Sequence, residues 1–476
     1  KDPYHGFYLQ DTWKLTRRLT MNYGLRYEIQ GGRTERYNRF TQLDLNSLNP
    51  LGAVVGIPDL KGGLNFVSAS DRNQWEPSLN NVAPRVGIAY RATDKLIVRT
   101  GYGIFFDRTT YASPLVGVDG YSSTTPFTVS LDGNRTPYAT LSNPYPDGLI
   151  PISGSSLGLL TNVGNSISGF EQLRPTPYIQ QYSFDLQYQA QKDVLIEVGY
   201  TGTMVRKLLY GYGVQLNQLP DQYLSLGSKL LQQVDNPFYG VITSGSLSGK
   251  TINYGQLLRP YPEFTGVSAT FMPGASSSYN ALVTHLVKRF SHGVTLDLSY
   301  QFSKALDNSS ENGSPGLVDG ARDFNNLSLE RSISSHDVPH SFAMAVIAGL
   351  PWGRGQVLGG TWPKWLDAIA GNWQVSGIYR LASGLPSHFS ATDNTNSFGG
   401  SQQPNVSNMN DVSISNQTPA RWVNTSAFSQ PAAYTFGNAP RWLTNVRFSN
   451  ANNLDAALLK NFTMTERLKA QLRGEV

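Results

Sequence analysis

Along much of this chain, apolar and polar residues alternate one for one in runs of about ten. Residues 6–28, GFYLQDTWKLTRRLTMNYGLRYE, show the pattern most fully. Phe7, Leu9, Trp13 and Leu15 share one face of the first arm, and Tyr8, Gln10, Thr12 and Lys14 share the other. In the second arm Leu19, Met21, Tyr23, Leu25 and Tyr27 alternate with Thr20, Asn22, Gly24, Arg26 and Glu28. A period of two predicts extended strands, each with one oily and one polar side. The linker Thr16–Arg18 is short enough that the two arms must pair antiparallel. One residue breaks the pattern: Asp11 falls on the oily side.

The same design recurs. Val86, Ile88 and Tyr90, then Leu96, Val98, Tyr102, Ile104 and Phe106, give a second hairpin around the turn Ala92–Lys95. Tyr182, Phe184, Leu186 and Tyr188, then Val194, Ile196, Val198 and Tyr200, give a third around Ala190–Asp193. The fourth runs Tyr279–Phe290, turn Ser291–Gly293, then Val294–Ser303; its first arm is less clear, with apolar residues on both sides. Val338–Gly349 and Asn372–Ala382 form the fifth across a longer connection, 350–371, in which Trp362–Ala370 predicts a short helix. The last pair is Asn452–Phe462 and Glu466–Val476, joined by Thr463–Thr465. Between hairpins lie five long loops rich in Gly, Ser, Asn and Pro: 29–83, 108–177, 203–278, 304–337 and 383–451.

Strict alternation of short and long links is foreign to a soluble sandwich, whose links mostly run ~2–6 residues. It suits an outer-membrane β-barrel, with short turns at one end and long loops at the other. The fold class expected is therefore all-β, a transmembrane antiparallel barrel in which this chain supplies about twelve strands. Trp13, Tyr27, Tyr90, Phe106, Tyr188, Tyr200, Tyr300 and Trp373 stand near strand ends on the apolar side, as interfacial girdles require. Arg26, Glu28, Arg85, Arg99, Glu197, Asp297 and Arg380 are expected to face the lumen.

Composition agrees. Charged residues are 15%, aromatics 11% and glycines 46. Mean hydropathy is only −0.29, and no apolar run reaches the ~18–20 residues of a spanning helix. The absence of cysteine excludes disulfides and thiolate metal sites. A net charge of +5 without a dense basic run makes nucleic acid an unexpected partner.

Candidate chemistry changes little. His336, Asp337 and His340 have helical metal spacing, but Pro339 interrupts it and a strand follows. Gly101-Tyr102-Gly103 and Gly353-Arg354-Gly355 open no phosphate loop. No Ser/His/Asp set has motif context. The chain is expected to be no enzyme and to need no cofactor or metal.

FYLQDTWKLTRRLTMNYGLRYE, APRVGIAYRATDKLIVRTGYGIFFD at 83–107 and YIQQYSFDLQYQAQKDVLIEVGYTGT at 178–203 resemble the recurrent hairpins of TonB-dependent outer-membrane receptors, specifically the Oar-like group. YNALVTHLVKRFSHGVTLDLSYQFSKALDN at 279–308, HSFAMAVIAGLPWGRG at 340–355, NWQVSGIYRLASGLP at 372–386 and KNFTMTERLKAQLRGEV at 460–476 continue the likeness in order. The resemblance implies a 22-stranded barrel around an N-terminal plug, in the outer membrane of a Gram-negative-type bacterium. It implies a transporter, an importer or for Oar-like members an exporter, of bulky cargo: peptide, protein or glycan. Partners would be outer-membrane lipid and TonB, the latter through a segment not found here. The sequence departs from the family in containing no candidate plug and in ending inside a strand without the terminal aromatic. Strands are thus expected beyond both ends, and lumen-facing charges are expected to contact plug, water or cargo.

Loop 203–278, with 108–177, is the expected cargo site, on Phe238, Tyr239, Arg259 and Tyr261. The other readings are a structural or adhesive outer-membrane barrel without transport, and a secreted β-rich binding protein.

Overall fold

The structure is a computed structural model and describes residues 1–107, 117–210, 213–291, 293–309, 320–463 and 469–476. Twelve long strands are present: β1 (Tyr4–Lys14), β2 (Leu19–Gln30), β3 (Ser78–Arg91), β4 (Leu96–Phe106), β5 (Tyr178–Gln191), β6 (Val194–Leu209), β7 (Pro273–Ser291), β8 (Val294–Asp307), β9 (His340–Gly349), β10 (Trp373–Ala382), β11 (Ala451–Thr463) and β12 (Lys469–Glu475). They form one antiparallel sheet in which each strand pairs with its neighbours in sequence, from β1 to β12. The short strand Ser332–Ile333 adds to the loop end of β8. The predicted helix is present as α1 (Lys364–Ala370). Of the predicted turn Thr463–Thr465 and the arm after it, residues 464–468 lie outside the described residues, as does His292 of the turn Ser291–Gly293.

Two of the short turns share one device. Thr16 Oγ1 accepts hydrogen bonds from the N–H of Arg18 (3.1 Å) and Leu19 (3.0 Å). Thr93 Oγ1 does the same for Lys95 (3.2 Å) and Leu96 (3.0 Å). A threonine hydroxyl imitating a backbone carbonyl closes a turn without glycine. The turns in turn fix register, and register decides which side chains reach which face.

Strands outrun their alternation at the loop end. β6 continues to Leu209 and β7 starts at Pro273, both inside predicted loop 203–278. β3 starts at Ser78, inside predicted loop 29–83, and β8 reaches Asp307. Ladder hydrogen bonds need no alternation once both faces meet water, so the pattern marks only the part that has one oily side.

The loops are folded. Thr41–Leu48 pairs with Lys61–Phe66. Ser166–Gly169, Gly266–Ala269 and Val214–Gln215 make a three-stranded sheet drawn from two loops. Gln233–Asp235 pairs with Thr251–Asn253, Asn405–Val406 with Phe428–Ser429, and Ser413–Thr418 with Arg421–Val423. Their apolar residues form shared cores. One joins Leu43, Leu64, Ile167, Val214, Phe264 and Val267 from three loops. The buried core of the described residues therefore sits mainly in this cap, while large apolar residues on the strands stay exposed: Leu9 is 79% and Leu25 50% exposed. A broad exposed apolar face is unstable in water and demands lipid.

Candidate functional site

The pairings place the seven charged residues predicted for the lumen on one face. Arg26 is paired with Ala83, two residues from Arg85, and Arg85 is paired with Gly103, four residues from Arg99. Arg99 pairs with Asp185, Asp185 with Gly199, and Glu197 with His285. Asp297 pairs with Val287, and Ser299 with Ala343, which pairs with Arg380.

This polar face is a mosaic of both signs. Arg26 Nε bonds Glu28 Oε1 at 2.5 Å, and its Nη2 donates to Tyr4 Oη at 2.8 Å. The Arg85 guanidinium lies 4.3 Å from the Phe105 ring centre. His285 stands between two carboxylates, 2.8 Å from Asp297 Oδ1 and 3.6 Å from Glu197 Oε2. The sequence reading missed His285, which lies in the arm whose two sides could not be told apart. The signal was a lone histidine among Thr284, Leu286 and Val287, legible only once the arm's register was known. Arg99 and Arg380 face Asp185 and Asn453 in register.

The eight girdle residues lie on the opposite face. Trp13, Tyr90, Tyr188 and Trp373 stand at the short-turn ends, and Tyr27 and Phe106 at the loop ends. Tyr200 and Tyr300 sit further along their strands and are tied by their hydroxyls. Tyr200 and Tyr182 both donate to Asn280 Oδ1, at 2.9 and 2.6 Å, and Tyr300 Oη lies 2.8 Å from His340 Nδ1. Tyr27 Oη donates to the Leu79 carbonyl at 2.7 Å. The pattern-breaking Asp11 is answered across the ladder: it pairs with Tyr23, whose hydroxyl donates to its Oδ2 at 3.0 Å.

The candidate cargo residues are a correction. Phe238 is fully buried against Leu51, Ile242 and Ile252. Arg259 is half-buried, its Nη1 donating to the Asn217 carbonyl at 2.8 Å and its Nη2 to that of Ser397 at 3.2 Å; burial lowers its pKa. Tyr261 is half-buried and packs on the shared core beside Gly62. Only Tyr239 of the four is exposed. Phe238, Arg259 and Tyr261 hold the loops together, because an aromatic in a long loop is first an anchor for that loop.

Exposed apolar surface gathers elsewhere, on residues 121–153 of loop 108–177. The N–H of Gly154 donates to the Gly120 carbonyl at 2.9 Å, so this arm leaves and returns at one point. Leu131, Leu141 and Leu149 are 73%, 104% and 69% exposed. Local bonds shape the arm: Tyr138 Oη donates to Asp147 Oδ1 at 2.5 Å, and the Ile150 N–H to Thr125 Oγ1 at 2.9 Å. Asp132, receiving bonds from Ser130 and Thr136, is held well below the usual carboxylate range. Tyr138, Tyr145, Pro126 and Pro151 line a shallow hollow of about 340 Å³.

Asp337, from the weak metal pattern, is engaged otherwise. Its Oδ2 accepts from Arg447 Nη2 at 2.6 Å and its Oδ1 from the Ala305 N–H at 2.6 Å. Gly101 and Gly103 lie inside β4, and Gly353 and Gly355 in the connection before α1.

The whole chain, residues 1–476, matches the family model described as outer membrane beta barrel domain. No curated protein matches it. Among solved structures, the alcaligin outer-membrane receptor FauA from Bordetella pertussis is similar at 8% identity, over 100% of this chain and 42% of that one, with a TM-score of 0.35. The ferric yersiniabactin uptake receptor FyuA from Yersinia pestis is similar at 9% identity, over 99% and 40%, with a TM-score of 0.37. The ferric-catecholate import receptor Fiu from Escherichia coli K12 is similar at 10% identity, over 99% and 40%, with a TM-score of 0.37. The chain thus spans about two fifths of the length of these receptors.

Proposed function

Because this chain belongs to the outer membrane beta barrel domain family and resides in the outer membrane, we propose that it is the barrel portion of a TonB-dependent transporter of the Oar-like group. In this reading the sheet is part of a closed barrel of 22 strands. The polar face lines the lumen, and bulky cargo passes along it once a plug moves. TonB acts through a segment outside this sequence, and the chain itself performs no covalent chemistry. Arg26, Arg85, Arg99 and Arg380, interspersed with Glu28, Glu197 and Asp297, offer cargo both signs of charge and no single-sign trap.

The observation that carries the reading is the arm 121–153, an exposed apolar surface rooted at one point on a packed cap. Recognition loops on rigid scaffolds have this form, and exposed aromatic and aliphatic side chains supply contact area to peptide, protein or glycan cargo. Loop 203–278 serves as scaffold, so the cargo site moves from it to the neighbouring loop 108–177.

The test replaces 121–153 by Gly-Ser in the full-length protein on cells. The barrel is expected to insert and remain heat-modifiable on gels while cargo binding is lost. Unchanged binding removes the arm from the site. The same arm also suits an adhesive barrel without transport. Uncoupling the proton gradient separates the two: a transporter loses cargo movement, whereas an adhesin keeps its attachment.

A further inference from the structure

At the loop end of β4, β5 and β6, residues 76–81, which include the start of β3, and segment 173–176 bound a groove of about 510 Å³. Its floor is Ile104, Phe106 and Tyr178, on the same face as Tyr102 and Tyr182 of the tyrosine belt. The Phe106 and Tyr178 rings lie 6.0 Å apart. Leu79 and Leu173 form its walls and are 53% and 74% exposed. The Tyr27 hydroxyl, bonded to the Leu79 carbonyl, ties the start of β3 to β2.

Charge is placed at one edge. Lys207 lines the groove and is exposed, with its ammonium 5.8 Å from the Tyr178 ring centre. Its backbone is left-handed, with φ of 57°. A lysine rarely takes that conformation. Arg174 closes the back, its guanidinium 4.6 Å from the Trp75 ring and 4.8 Å from that of Phe170. One acid also lines the groove: Glu76, whose Oε1 accepts from Gln172 Nε2 at 3.1 Å. The buried Arg174 is offset by Glu171 and Glu76 is tied to Gln172, so Lys207 is the exposed cation at the mouth of the groove.

We propose that this groove seats a membrane lipid with a phosphorylated headgroup, its phosphate at Lys207 and an acyl chain along Leu79, Ile104 and Phe106. The apolar floor faces lipid, and the groove opens at the height of the tyrosine belt, where headgroups lie. A cation above an apolar trough is complementary to an anionic head above a chain. A soluble anion would use the lysine and leave the trough empty. The proposal rests on the membrane placement of the apolar face and not on transport.

The test is native mass spectrometry of the detergent-solubilised full chain with dioleoyl phosphatidic acid, with dioleoyl phosphatidylcholine, and with inorganic phosphate as competitor. Phosphatidic acid is expected to be retained over phosphatidylcholine. Lys207→Gly removes the charge and suits the left-handed backbone, so it leaves the fold intact. It is expected to cut phosphatidic acid retention about fivefold, the worth of one lysine near a charged headgroup, and to leave phosphatidylcholine unchanged. Lys207→Arg is expected to restore retention. Equal retention of phosphatidic acid by Lys207→Gly overturns the proposal. So does displacement by equimolar inorganic phosphate, which would make the site one for a soluble anion.

Discussion

Asp11 stands on the apolar face of β1, and Tyr23 answers it directly across the ladder with a hydroxyl donated to its carboxylate. Phe238 and Arg259 read as exposed binding anchors, yet Phe238 is buried in the cap and Arg259 is half-buried and bonded to two carbonyls. Exposure depends on what three other loops do, and no local pattern records that. Glu263, in the same loop, carries no signal in the sequence. Its side chain is fully buried, and neither carboxyl oxygen finds a hydrogen-bond partner in another described residue. Burial pushes its pKa up to about 8 from the ordinary value near 4.5. Between those two values the folded cap keeps the proton that the unfolded chain releases. Cap stability is therefore full below about pH 4.5, falls as pH rises towards 8, and levels off above it. The steepest loss is about 1.4 kcal/mol per pH unit. Hydrogen exchange of cap amides at pH 5 and pH 8 measures this. Wild type is expected to lose protection at the higher pH, and Glu263→Gln to hold it; the same pH response in both would show that Glu263 ionises freely.

Elements were legible in proportion to their length and two-sidedness. Eleven of the twelve long strands follow from the period of two, because a sheet with one face in lipid must write that face into its sequence; β7, apolar on both sides, is legible only through its partner arm. α1 follows from a short run of helix formers between Pro363 and Gly371. The small strands of the cap, such as Asn405–Val406 and Gln233–Asp235, are too short to show any period. Their partners lie about 15–25 residues away in the same loop, and Ser166–Gly169 pairs across to Gly266–Ala269 in another, so composition reads them as irregular. The cap nevertheless has real cores, and this can be tested apart from the sheet. Phe238→Ala opens a cavity among Leu51, Leu60, Ile242, Leu247 and Ile252. The expected cost is ~3–5 kcal/mol, seen as faster hydrogen exchange at those amides. Exchange in β1 to β12 should stay slow. Uniform loosening of both would mean that cap and sheet unfold together.

For the molecule as a whole, the sheet separates two environments. One face carries exposed leucines and a belt of hydroxyl-tied tyrosines, and the other carries arginines and carboxylates. Above them the cap presents a folded platform and one projecting apolar arm. The transport reading requires the polar face to be wet and the apolar face to touch lipid. The chain has no cysteine, so single cysteines can report each face without background. Adjacent positions Leu25 and Arg26, Val198 and Glu197, and Leu298 and Asp297 sample the two faces at three strands. The measurement is fluorophore labelling of each single-cysteine variant in bilayers, scored for reaction with a water-soluble maleimide and for quenching by brominated lipid. Positions 26, 197 and 297 are expected to react readily and escape quenching, while 25, 198 and 298 react slowly and are strongly quenched. Equal reactivity and equal quenching on the two faces would contradict the account.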